Sequence, residues 1–176
     1  MTRMYFFVPY NISPIQQAIQ AGHASLEYVR KFGLTPELVS FMDNDKTWII
    51  LNGGTTNSGL DAAEKPQGTL NLLHEDLWTA DIKHSIFYEP DLNNALTAIC
   101  FLADEQVWDY ENYPDFRTFV IEEIGIINSD YIQTKMRKIE EDLQQMYPES
   151  YKKWVESLGG EKNVFLRNLL KGKKLA

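Results

Sequence analysis

The chain has one cysteine, three histidines and no apolar run approaching the ~18 residues a membrane span needs. A lone Cys100, set inside the apolar stretch "LTAICFLA", can close no intramolecular disulfide and supplies no thiolate zinc site. The opening "MTRMYFFVPYNISP" is apolar over too short a length for a secretory signal, so a cytoplasmic protein is expected. Positive charge is also scarce. The formal charge of −8 opposes a broad nucleic-acid track and argues for a soluble chain with no membrane partner. The exception is residues 161–176, where five basic side chains face one acid, suited either to a helix C-terminal dipole or to a contact with nucleic acid or a partner.

What is present is enough for a core: 176 residues, 44% of them hydrophobic. "MYFFVPY", "TWIILNGG", "HSIFYE" and "LTAICFLA" read as strands from their β-branched and aromatic content. Ser13 followed by a proline starts a helix that ends near Gly33, with Ile15, Ile19, Leu26 and Val29 as its expected apolar face and Ala18 and Gly22 between them. "TPELVSFM" reads as a short second helix, and Leu70, Leu73 and Leu77 place another over "GTLNLLHEDLWTADI". Strand and helix alternate, which predicts an α/β fold over residues 1–103. Residues 104–176 read as a helical C-terminal extension packed on it, with Ile132, Met136, Ile139, Leu143 and Met146 forming an amphipathic stripe.

Three polar stretches are candidates for a site. On the first helix Gln16, Gln20, His23 and Glu27 fall on one stripe, where Glu27 could orient the His23 imidazole. Gly22, costly in mid-helix, points to close approach of a backbone or ligand. After the second strand, Asn52, Gly53, Gly54, Thr55 and Thr56 form a loop able to turn N–H groups toward an anion, though without the lysine and helix of a P-loop. "EPDLNN" sets Glu89, Asp91, Asn93 and Asn94 around a proline turn at a strand end, where α/β folds gather ligands. No metal site and no cofactor are expected from these spacings.

"QAGHASLEY", "WIILN", "LNLLHEDLW" and "FYEPDLNNALTAICFL" together resemble the type II peptidyl-tRNA hydrolases over residues 4–103. The resemblance implies a four-stranded mixed sheet flanked by helices. It matches Gln20, His23 and Ala24 to the family's helix motif and Thr97 to the threonine heading its last strand, with Glu89 or Asp91 at the position of its acid. Gln16 stands where the family carries a catalytic lysine and, if Glu89 is the match for the acid, Asn93 where it carries another threonine. The whole chain also resembles uncharacterised proteins of tailed bacteriophages, which implies action in an infected bacterial cytoplasm.

Three functional readings stand. In the first, the pocket binds a small anionic nucleotide-like ligand and sequesters a host defence signal. In the second, the protein is a peptidyl- or aminoacyl-tRNA ester hydrolase with His23 and Glu89 as base and orienter, a reading the acidic surface weakens because tRNA draws on basic phosphate contacts. In the third, the helical extension binds a host factor. A homodimer is compatible with all three.

Overall fold

The computed structural model of the chain describes residues 1–125 and 140–176, which divide into two compact units, Met1–Asp104 with Leu169–Ala176 and Glu105–Asn168. The first unit is α/β. Its strands β1 (Arg3–Val8), β2 (Thr47–Asn52), β5 (His84–Glu89) and β6 (Ala95–Ala103) form a mixed sheet in the order β2-β1-β6-β5. β1 and β2 pair in parallel, while β6 runs antiparallel to both β1 and β5. Every residue of β6 is buried, as a near-continuous apolar run in a central strand should be. Its neighbour β1 contributes Phe6, Phe7 and Val8, none of which is exposed.

Local chemistry sets the helix boundaries. α1 (Pro14–Phe32) begins with a capping box: the Gln16 N–H donates to the Ser13 hydroxyl, and the Gln16 side chain accepts the Ser13 N–H. It ends at Gly33, whose φ of 68° suits glycine. α2 (Pro36–Ser40) is capped by Thr35 and continues into a π-helical turn, Phe41–Asp45. α3 (Thr69–Thr79) buries Leu70, Leu73 and Leu77 as their spacing predicts. The long connection before α3 is not featureless, because β3 (Gly59–Leu60) and β4 (Pro66–Gln67) pair as a small hairpin.

The expected apolar face of α1 is overturned. Ile15, Ile19 and Leu26 are 72%, 50% and 67% exposed, while the helix turns Gln17, Gln20, Ala21, Ala24 and Tyr28 inward. Small residues let the helix lie close to the sheet, where the Ser85 hydroxyl donates to the Ala24 carbonyl (2.7 Å). The inward glutamines are tolerated because each amide is paired: Gln17 Nε2 donates to the Pro9 carbonyl (3.1 Å), and Gln20 is bonded as described below.

The basic C-terminus serves the fold. Asn52 N–H donates to the Lys174 carbonyl and Ala176 N–H to the Ile50 carbonyl, so the last residues extend the sheet along β2. The Lys173 ammonium lies over the Phe7 ring.

The second unit contains α4 (Glu105–Trp108), α5 (Phe116–Ile124), α6 (Glu140–Met146), α7 (Pro148–Ser157) and most of α8 (Glu161–Leu170). Its core gathers Phe116, Val120, Leu143, Trp154, Leu158 and Val164. Arg167 is buried there, stacked on Tyr110 and donating to the Gln106 and Tyr113 carbonyls. Of the amphipathic stripe, Leu143 is buried and Met146 is 58% exposed; Ile132, Met136 and Ile139 lie outside the described residues. No described helix is long and apolar enough to cross a membrane.

Candidate functional site

The three polar stretches meet because of strand direction. β1, β2 and β5 all run opposite to β6, so their carboxyl ends lie along one edge of the sheet together with the start of β6. α1 leaves the first of these ends, the "NGGTT" loop the second and "EPDLNN" the third. Ligands of open α/β sheets collect at such an edge.

Gln20 is the hub. Its Nε2 donates to Glu89 Oε2 (2.6 Å) and its Oε1 accepts the Thr97 hydroxyl (2.6 Å), an amide orientation that this network of partners fixes. Both Gln20 and Thr97 are buried. The second oxygen of Glu89 accepts the Asp91 N–H (3.3 Å) and begins the 3-10 turn Pro90–Leu92. The Glu89 carboxylate is thus held as an acceptor at both oxygens.

The rest of the α1 stripe is partnered in other ways. Gln16 is committed to the capping box. The His23 ring stacks on Phe87, with centroids 4.4 Å apart. Glu27 does not orient His23; its carboxylate takes both Nε (2.8 Å) and Nη2 (2.5 Å) of Arg30, which holds it below the usual glutamate value. A guanidinium three residues on offers two donors in a fork that a carboxylate fits well. The residues share a stripe, and each has a partner within the fold.

The "NGGTT" loop also departs from expectation. Gly53 N–H donates to the Val8 carbonyl (2.8 Å), Gly54 N–H to Asn52 Oδ1 (2.7 Å) and Thr55 N–H to the Thr69 hydroxyl (2.7 Å). These three donors are spent inside the fold, so they make no nest for an anion. The glycines are there for close approach: a Cβ on Gly53 would lie 2.6 Å from Leu70, and one on Gly54, at φ 89°, only 1.9 Å from Thr69 Oγ1. The Thr56 hydroxyl donates to the Leu96 carbonyl and ties the loop to β6. Among the described residues, the buried Thr55 Oγ1 meets no hydrogen-bond partner.

Beyond Glu89 the chain turns through Asn93 and Asn94, both at φ 54°, a conformation asparagine adopts more readily than most residues. Asp91 is exposed. Asn94 and the exposed Tyr88 form one wall of a groove of about 530 Å³ whose other wall is the β3–β4 hairpin, through Asp61, Lys65 and Gln67. Asp61 braces the hairpin by accepting the Ala63 and Lys65 N–H groups, bonds that lower its carboxyl. Sequence reasoning missed Lys65 and Gln67, since two-residue strands carry no periodic signal; the alternation of Asp61, Lys65 and Gln67 around Pro66 was the available cue.

A second polar cluster lies elsewhere. His74 Nδ1 and His84 Nε2 are 2.8 Å apart, and His84 Nδ1 is 2.7 Å from the Ile82 carbonyl. Burial pushes both imidazoles below their ordinary value. Among the described residues, no three His, Cys, Asp or Glu side chains are grouped so as to hold a metal ion. No protein-family model matches the chain, and no curated protein matches it.

Proposed function

We propose that the groove between Tyr88, Asn94 and the β3–β4 hairpin binds a small anionic nucleotide-like ligand and holds it without chemical change. The observation that carries this reading is the set of groups in one groove: an exposed aromatic ring for stacking a base, the Lys65 ammonium for a phosphate, and the Gln67 and Asn94 amides for base or ribose edges. The volume is on the scale of a nucleotide-sized ligand. In an infected bacterial cytoplasm such binding would sequester a host defence signal.

The hydrolase reading draws on one specific feature, the Gln20–Thr97–Glu89 network beside His23, at positions matching the type II peptidyl-tRNA hydrolase motif and on a mixed four-stranded sheet of the kind that family implies. It ranks second. Gln16, at the lysine position, is consumed in a helix cap, and a carboxylate occupied at both oxygens is better placed to brace Gln20 than to orient a base.

Calorimetry with cyclic di- and trinucleotides and ADP-ribose-type compounds tests the proposal. A nanomolar dissociation constant, near −12 kcal/mol, is expected for one of them, with intact ligand released on denaturation. Tyr88→Ala and Lys65→Ala should each weaken binding tenfold or more while leaving the melting temperature in place. Absence of binding across the panel, or recovery of cleaved products, overturns it.

A further inference from the structure

α1 is amphipathic in the inverted sense. The side turned from the sheet carries Ile15, Ala18, Ile19, Gly22, Leu26 and Val29, which lie within an arc of roughly 100° at helical spacing and include no charged residue. Ile15, Ile19 and Leu26 are at least half exposed, and Val29 is half-buried. At its carboxyl half this stripe runs into an apolar groove of about 300 Å³ lined by Ser25, Leu26, Val29, Met42 and Trp48, the last 44% exposed. Gly22 sits near the middle of the helix, and a Cβ there would meet nothing within 4 Å. Packing within the protomer therefore does not explain a residue that costs about 1 kcal/mol relative to alanine in a helix.

We infer that this face docks on the same face of a second copy of the chain, with two α1 helices crossing antiparallel at Gly22. The spacing is self-complementary about that glycine. In such a pair, the residue n positions after Gly22 meets the residue n positions before it in the partner. Leu26 then falls opposite Ala18, Ser25 opposite Ile19, and Val29 opposite Ile15, so large side chains face small ones in the two inner layers. The outermost, Ile15, is brought about 10 Å from the axis to the partner's apolar groove. Each protomer thus carries a knob at the amino half of α1 and a socket at the carboxyl half, at equal distance from the centre, as an isologous interface requires. The missing side chain at Gly22 lets the two backbones approach. An unrelated partner would need no such symmetry. The exposed apolar surface of the two faces is on the order of 1,000 Å² in total, at the lower end for a specific interface, the size class of weak or transient association.

Sedimentation equilibrium on the full chain tests this. A reversible monomer–dimer equilibrium is expected below about 100 μM, the range such an interface supports. A Cβ at Gly22 meets open space in the monomer, so the melting temperature of Gly22→Leu at low concentration should not fall. In the dimer it forces the helices apart and should weaken association tenfold or more. Leu26→Glu, at a position exposed in the monomer, should do the same without relying on the helix centre. A wild-type chain that stays monomeric at that concentration overturns the inference, as does a dimer indifferent to both substitutions. A monomer that instead floats with neutral phosphatidylcholine vesicles also overturns it, by assigning the face to lipid.

Discussion

Thr97 on β6 donates its hydroxyl to the amide oxygen of Gln20 on α1, a 2.6 Å bond between buried groups 77 positions apart in the chain. The Glu89 carboxylate, an acceptor only, takes the Nε2 end of the Gln20 amide, which leaves Oε1 to the Thr97 hydroxyl. Thr97→Val keeps the shape and removes the donor, leaving Gln20 Oε1 buried and unpaired. A loss of about 1–3 kcal/mol is expected in urea denaturation. A change within a few tenths would show that the bond contributes little.

Two glycines should respond in opposite directions. Gly22→Ala adds a methyl into open space and gains helix propensity, raising monomer stability by up to about 1 kcal/mol. Gly54→Ala places a Cβ on Thr69 Oγ1 at a φ disfavoured for alanine, and breaks the support of the Thr55 N–H. It should cost at least about 1 kcal/mol. Thermal melts of the two variants at micromolar concentration separate these outcomes.

The His74–His84 pair makes stability depend on mild acid. Because His84 Nδ1–H donates to the Ile82 carbonyl, its Nε2 must accept from His74 Nδ1–H, which requires a neutral His84. Both folded values lie below the ordinary histidine value, so the unfolded chain takes up protons first as pH falls. The contribution is complete above the unfolded pKa of about 6.5 and is lost as pH drops through the lowered folded values. Denaturation midpoints measured from pH 8 to pH 5 should fall, and His84→Gln should flatten the profile.

Deleting residues 173–176 removes the carbonyl that accepts the Asn52 N–H and the N–H that caps the Ile50 carbonyl. Hydrogen exchange at the Asn52 amide should accelerate by at least an order of magnitude, while amides of β6 stay protected. Unchanged exchange at Asn52 would show that the tail does not hold the edge of β2.

Helix ends were readable because caps are local: Ser13 followed by a proline, Thr35, and Gly33 each act within a turn, although the part Gln16 plays in the Ser13 cap was not read. The four main strands were readable for a similar reason, as short apolar runs between turn residues. The inward face of α1 was not. Its core side presents Gln17, Gln20 and Tyr28, which periodicity scores as polar, while the isoleucines that carry the apolar signal point outward. The convergence of Gln20, Glu89 and Thr97 was not legible either, because no local pattern brings together side chains this far apart. The spent amides of the "NGGTT" loop were hidden for the complementary reason: their acceptors, Val8 and Thr69, belong to other elements.

The central place of β6 also bears on how the chain is made. β1 and β5 are not neighbours; β6 lies between them, and of these three strands it is the last to be synthesised. A chain that ends at Glu89 lacks the strand that joins β1 to β5, so the edges of both that β6 covers are left without a partner. Unpaired edges of this kind invite association with other chains. Insertion of β6 closes both edges in one step and brings Thr97 to Gln20 in the same event. Mutations that slow the insertion should therefore reduce the yield of folded protein during synthesis more than they reduce the stability of the protein once folded.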